Sequence, residues 1–172
     1  MERKSIERVL DALNESNVRY LVVGGLAVVA HGYLRFTADL DLLLDFDEDN
    51  LRAALDALAQ LGYAPRAPVD PEAFLDADTR AEWVRDKGMT VFSLFSPEHP
   101  ATEVDLFVEP PLDFDDAYQR AVAFEIRPGL AATFIALEDL IRMKLEAGRD
   151  KDLLDVDMLR RLQSDAAYEQ LG

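Results

Sequence analysis

Two carboxylates two residues apart in an otherwise apolar run, Asp39 and Asp41 in Ala38-Asp-Leu-Asp-Leu-Leu-Leu44, are the first residues here that could do chemistry. Alternate side chains of an extended strand share a face, so the two acids point one way and Leu40, Leu42 and Leu44 point into a core. Like charges held side by side repel, and a cation between them removes that cost. Divalent magnesium or manganese, which take oxygen ligands, suit such a pair. Glu103-Val-Asp105-Leu-Phe107 repeats the alternation, with Glu103 and Asp105 on one face and Val104 and Leu106 on the other. With this second strand beside the first, Asp105 makes a three-carboxylate cage for two metal ions. Its carboxylate can also accept the proton of an attacking hydroxyl, with Glu103 as the substitute.

Upstream, the apolar strand candidate Tyr20–Val23 runs into Gly24–Gly25, followed by a short helix (Leu26–His31) and a turn at Gly32. Glycine lets backbone amides come close to an anion, and a helix N-terminus favours negative charge. Gly24 and Gly25 are thus candidate phosphate holders, with tight helix–strand packing as the lesser alternative. Arg35 and Thr37 could steady a triphosphate; a solvated loop arginine and an ordinary strand threonine have the same sequence signature. His31 fits packing at the helix end better than base catalysis. Ser96 and His99, in Ser-Pro-Glu-His-Pro, read as a turn without the strand–turn–helix context of a nucleophile elbow. Neither a Walker phosphate loop nor a dinucleotide fingerprint is present.

The ordered set of strand, Gly-Gly, helix and Asp-x-Asp on the next strand resembles the polymerase-β-like nucleotidyltransferases. A second resemblance lies in Leu137-Glu-Asp-Leu-Ile-Arg-Met-Lys144 followed by Ala147-Gly-Arg149-Asp-Lys151-Asp152. This segment is similar to the C-terminal motif of nucleotidyltransferase toxins from bacterial abortive-infection, or type IV toxin–antitoxin, systems. The resemblance implies that Lys144 faces the nucleotide phosphates and that Asp152 belongs to the nucleotide site, with Arg149 and Lys151 as weaker candidates. It also implies an NTP as donor, two Mg²⁺ or Mn²⁺ ions, and transfer of an NMP group to a hydroxyl of RNA or tRNA, a protein or a small molecule. A cognate antitoxin is an implied partner. The rival reading is a noncatalytic nucleotide-binding or antitoxin-like protein that keeps the fold.

The elements that must position these residues follow from periodicity. Ile6, Val9, Leu10 and Leu13 predict a helix from about Ser5 to Ser16. Acids at Asp47–Asp49 and the stripe Leu51, Leu55, Leu58, Leu61 predict another, stopped by Gly62. Pro65, Pro68 and Pro71 mark an irregular connection before a short helix at about Thr79–Asp86. Met89–Phe95 and Thr102–Val108 read as strands, Asp113–Arg120 as a helix, and Val122–Ile126 and Ala132–Ile135 as weaker strands. Two helices close the chain: one carries Leu137, Leu140, Ile141 and Leu145 and stops near Gly148, the other Leu153, Val156, Leu159 and Leu162. The expected fold is α/β, a mixed twisted sheet flanked by helices with a C-terminal helical pair. It reads as one domain over residues 1–172, with a core at about 17–127 and the helical part at about 137–170.

Composition bounds the partners. The chain has 172 residues, 49% of them apolar, no cysteine, two histidines and a net charge of −16. A packed core is therefore expected, and disulfides, thiolate-bound zinc and multi-histidine metal sites are excluded. The charge opposes nonspecific nucleic-acid binding and suits a cationic small molecule better. The longest apolar run, Tyr20–Ala30, is too short for a bilayer and no signal-peptide pattern opens the chain, so a cytoplasmic location without a membrane partner is expected.

Overall fold

The computed structural model describes residues 2–169. The expected end of the last helix, at about residue 170, lies outside that range. In chain order the elements are α1 (Arg3–Glu15), β1 (Tyr20–Val22), α2 (Gly24–Ala30), β2 (Asp39–Leu44), α3 (Glu48–Gln60) and β3 (Ala64–Pro65). A 3₁₀ turn (Pro71–Phe74) precedes α4 (Ala77–Lys87), β4 (Val91–Phe95), β5 (Glu103–Phe107) and α5 (Phe114–Arg120). The chain closes with β6 (Val122–Arg127), β7 (Leu130–Phe134), α6 (Leu137–Ala147) and α7 (Asp150–Glu169).

The strands form one seven-stranded mixed sheet, ordered β3-β4-β5-β2-β1-β7-β6. At its centre β2 pairs antiparallel with β1 and parallel with β5, in a register that sets Asp41 opposite Asp105 and Asp39 opposite Glu103. Leu40, Leu42, Leu43 and Leu44 of β2 are fully buried, as are Val104 and Leu106 of β5. Each such side chain contributes about 1.5–3 kcal/mol, which offsets the repulsion of the carboxylates on the opposite face. Helix α1 packs on α3 and β7, α2 on β2 and α6, and α6 on α7.

Local signals explain most boundaries. The Asp47 side chain caps α3 by accepting from the amides of Asp49 and Asn50 (3.1 and 3.3 Å), with Glu48 and Asp49 in the first turn. Gly148, with φ 63°, ends α6 in the left-handed conformation that glycine adopts without strain. It turns the chain sharply so that α7 runs back against α6.

The proline-rich connection holds more structure than its sequence announces. Ala64–Pro65 adds a short edge strand to β4, and Phe74 of the 3₁₀ turn is fully buried. Its ring stacks on Phe92 (5.0 Å), which also stacks on Trp83 (5.4 Å). Tertiary aromatic contacts hold a segment that local propensity leaves open.

The last two helices form where expected, with Leu140, Ile141, Val156 and Leu159 buried as their stripes predict, but the stripes are not inward throughout. Leu145 and Leu153 are 44% and 47% exposed, whereas Lys144, Asp152 and Asp155 are buried. Ion pairing, not apolar burial, decides the rotation of this part of the helical pair. Among the described residues no helix is long and apolar enough to cross a membrane.

Candidate active site

The acid-bearing face of β2 and β5 floors a cavity of about 690 Å³. Its walls come from the start of α2, the loop between α2 and β2, and the facing ends of α6 and α7. Asp39, Asp41 and Asp105 all line it, together with Gly24, Gly25, Arg35, Thr37, Lys144 and Asp152. The residues singled out by sequence thus share one cavity.

Asp41 is more enclosed than Asp105. Burial first, then the charges of Asp105 and Asp39, push its carboxyl up to about 6, while the Gly25 amide and the Lys144 charge act the other way. Asp105 is raised as well, chiefly by burial and then by Asp39 and Glu103. A donor from the neighbouring strand opposes this: the Ser93 hydroxyl donates a hydrogen bond to Asp105 Oδ1 at 2.5 Å. Ser93 stands opposite Asp105 in the antiparallel register of β4 and β5. The alternation of Val91-Phe-Ser-Leu-Phe95 carried that signal, since Ser93 is the polar residue of the strand.

Glu103 has another task. Arg66 grips both its oxygens, at 2.5 and 2.8 Å, so this acid is not a spare ligand like Asp105. Asp39, Asp41 and Asp105 suit a hard divalent cation in kind, because all their donors are oxygens and their charges push two of them upward. Among the described residues no group of three or more carboxylate or imidazole donors is drawn together tightly enough to hold an ion as it stands.

The glycines are required by contact as much as by backbone. Gly24 has φ 61°, and a Cβ there would lie 2.0 Å from Asp41 Oδ2. A Cβ on Gly25 would lie 2.3 Å from Thr37 Oγ1. The helix begins at Gly24, earlier than the expected Leu26, and the Gly25 amide is directed at Asp41 Oδ2 (3.4 Å). The packing reading therefore describes this pair, and the anion that the Gly25 amide faces here is an aspartate. Thr37 Oγ1 donates to the Asp39 carbonyl at 3.5 Å, linking the loop to the first acid.

Opposite the acids lies a cluster of cations tied by two buried carboxylates. Lys144 Nζ stands 3.1 Å from Asp152 and 2.7 Å from Asp155. Arg149 pairs with Asp152 (2.5 Å) and Arg35 with Asp155 (2.8 Å). Three cations against two carboxylates leave one positive charge, while Lys151 and Glu146 at the cavity wall offset one another. Asp152 is held below the usual carboxylate range by Arg149 and Lys144, against the effect of burial. It acts on Lys144 and Arg149, while its own oxygens are occupied by them. Lys144 and Asp41 feel one another across the cavity, as do Arg149 and Asp41.

Asp155 is the member that the sequence reading missed. Its signal was its place: Asp152, Asp155, Val156 and Leu159 form one stripe at helical spacing, and an acid on such a stripe needs a buried partner. His31 packs as expected, donating from Nε2 to the Ile135 carbonyl (2.8 Å) edge-on to Phe124. His99 and Ser96 lie outside the cavity, with His99 Nδ1 bonded to Ser5 (2.9 Å).

This combination of sheet, cavity and motifs coincides with a family match. Residues 3–164 fit the model of a family described as nucleotidyltransferase of unknown function, DUF6036. The chain belongs to that family. Its mixed sheet, flanking helices and C-terminal helical pair are the nucleotidyltransferase fold. No curated protein matches the chain. The family's description extends to group transfer and stops short of donor, acceptor and metal.

Proposed function

We propose that the protein transfers a nucleoside monophosphate from an NTP to a hydroxyl group, using divalent metal held by Asp39, Asp41 and Asp105. The observation that carries this reading is the opposition, in one cavity, of three carboxylates on β2 and β5 to the cation cluster of Arg35, Lys144 and Arg149. When bound, two Mg²⁺ or Mn²⁺ ions would neutralise charge on the attacking and departing oxygens.

The chain's own residues supply the rest. Lys144 and Arg149, fixed by Asp152 and Asp155, meet the β- and γ-phosphates and compensate charge as pyrophosphate leaves. Arg35 and Thr37 close the same end, and Gly24 and Gly25, lacking side chains, let Asp41 and Thr37 pack against the start of α2. At the other end Asp105 takes the proton of the acceptor hydroxyl as its oxygen bonds to the α-phosphorus and the bond to the pyrophosphate oxygen breaks. Ser93 keeps the Asp105 carboxylate aimed.

The resemblance of α6 and α7 to nucleotidyltransferase toxins extends the proposal. On that basis the acceptor is a hydroxyl of RNA or tRNA, of a protein or of a small molecule, the setting is the cytoplasm, and a cognate antitoxin is the partner. The test is transfer of α-³²P-labelled NTP with Mg²⁺ or Mn²⁺ to tRNA, to protein and to a panel of small hydroxyl compounds. Transfer that falls about 10²–10³-fold in Asp105→Asn supports the reading. NTP binding that needs neither metal nor Asp41, with no transfer to any acceptor class, favours the noncatalytic nucleotide-binding alternative.

A further inference from the structure

A second cavity, about 240 Å³, lies between α4 and the end of β5 and shares no residue with the large one. Phe46, Arg80, Ala81, Val108, Glu109 and Pro110 line it. Arg80 is its unusual member. The residue is only 7% exposed, and its guanidinium lies 4.8 Å from the Phe46 ring centre and 5.7 Å from that of Phe74. It donates to the Phe74 carbonyl at 2.5 Å. The acid nearest in effect, Asp76, caps α4 by accepting from the Thr79 amide at 2.7 Å and acts on Arg80 by charge without an ion-pair contact. Among the described residues Arg80 forms no ion pair.

A buried cation is ordinarily matched by an anion, because removing it from water costs several kcal/mol. That cost shows in Arg80 itself, whose pKa burial lowers. Of its five N–H donors, one is used by a neutral carbonyl, and the planar fork that remains matches a carboxylate held by two hydrogen bonds. The rest of the wall is apolar: Phe46, Ala81, Val108 and Pro110 offer space for a short alkyl chain. Glu109 at the rim disfavours a more highly charged phosphate.

We propose that this cavity is a binding site for a small organic monocarboxylate, which pairs with Arg80 and lays its apolar tail against Phe46, Val108 and Pro110. The site does not depend on the nucleotidyl-transfer reading. It adjoins the large cavity at the Phe107–Val108 and Pro110–Pro111 steps, where one residue lines each cavity.

The test uses the full chain, ¹⁵N-labelled, titrated with sodium butyrate at constant ionic strength, with butyramide and inorganic phosphate as parallel probes. Butyrate should shift the amides of residues 77–81 and 108–109 saturably, and butyramide should not. Arg80→Lys, which keeps charge but loses the fork, should weaken butyrate at least about tenfold. Glu109→Gln should strengthen it about two- to fivefold by removing the rim charge, and Ala81→Leu should fill the mouth and abolish binding. An absence of saturable shifts overturns the proposal. So does an equal response to butyramide, which marks an apolar additive only, or phosphate binding as tight as butyrate. If Arg80→Lys does not fold, unchanged affinity in both Glu109→Gln and Ala81→Leu overturns it.

Discussion

Replacing Asp41 by asparagine should make the metal-free protein more stable. Burial and the charges of Asp105 and Asp39 lift the Asp41 carboxyl from 3.8 to about 6. Each unit is worth about 1.4 kcal/mol, so ionised Asp41 costs the fold about 3 kcal/mol at neutral pH. Its place on a cavity wall admits water and lowers the expected gain to about 1.5–3 kcal/mol. Asparagine has nearly the same shape, and its Oδ1 still accepts from the Gly25 amide. For a chain of this size the gain corresponds to a rise in Tm of roughly 3–12 °C.

The pH dependence distinguishes charge relief from better packing. Because the folded pKa is above the unfolded one, the folded protein keeps a proton that the unfolded chain has released between about pH 4 and 6. The cost of Asp41 is absent below that window, grows through it and is complete above it. Calorimetry in EDTA should therefore find the mutant advantage at pH 8 and lose most of it near pH 4. An Asp41→Asn protein less stable than wild type at pH 8, or an advantage equal at both pH values, would refute the reasoning and leave Asp41 as a structural hydrogen-bonding residue.

Two further outcomes test the other side of the cavity and the base. Lys144→Met leaves Asp152 and Asp155 without their shared cation. Because Arg149 and Arg35 still face them, the loss should be near the low end of the range for a broken buried pair, about 3 kcal/mol in urea unfolding. Lys144→Arg should recover part of that stability. Ser93→Ala removes the donor that lowers the Asp105 pKa, so the acidic limb of the pH–rate profile should move to higher pH. An unmoved limb separates Asp105 from the proton transfer.

The acids, the glycines and the helical pair were legible from sequence because their signals are local. Asp39 and Asp41 share a face because a strand has a period of two, and four leucines around them bury the strand whichever partners it finds. Gly24 and Gly148 stand where the backbone turns left-handed, a property of the residue more than of its surroundings. Gly148 marks where α6 stops.

What only the tertiary structure decided is which residues meet. The pairing of Asp41 with Asp105 depends on β5 choosing β2 as its parallel neighbour, and the same register delivers Ser93 to Asp105 through β4. Arg66, arriving on the irregular connection, takes Glu103 out of the set of candidate metal ligands. Helix periodicity placed Leu145 and Leu153 inside, yet Lys144, Asp152 and Asp155 took the interior. Periodicity ranks side chains by apolarity alone. A buried cation that two carboxylates can satisfy together outweighs a leucine at the same position, and that balance exists only once α6, α7 and the Arg35 loop are packed.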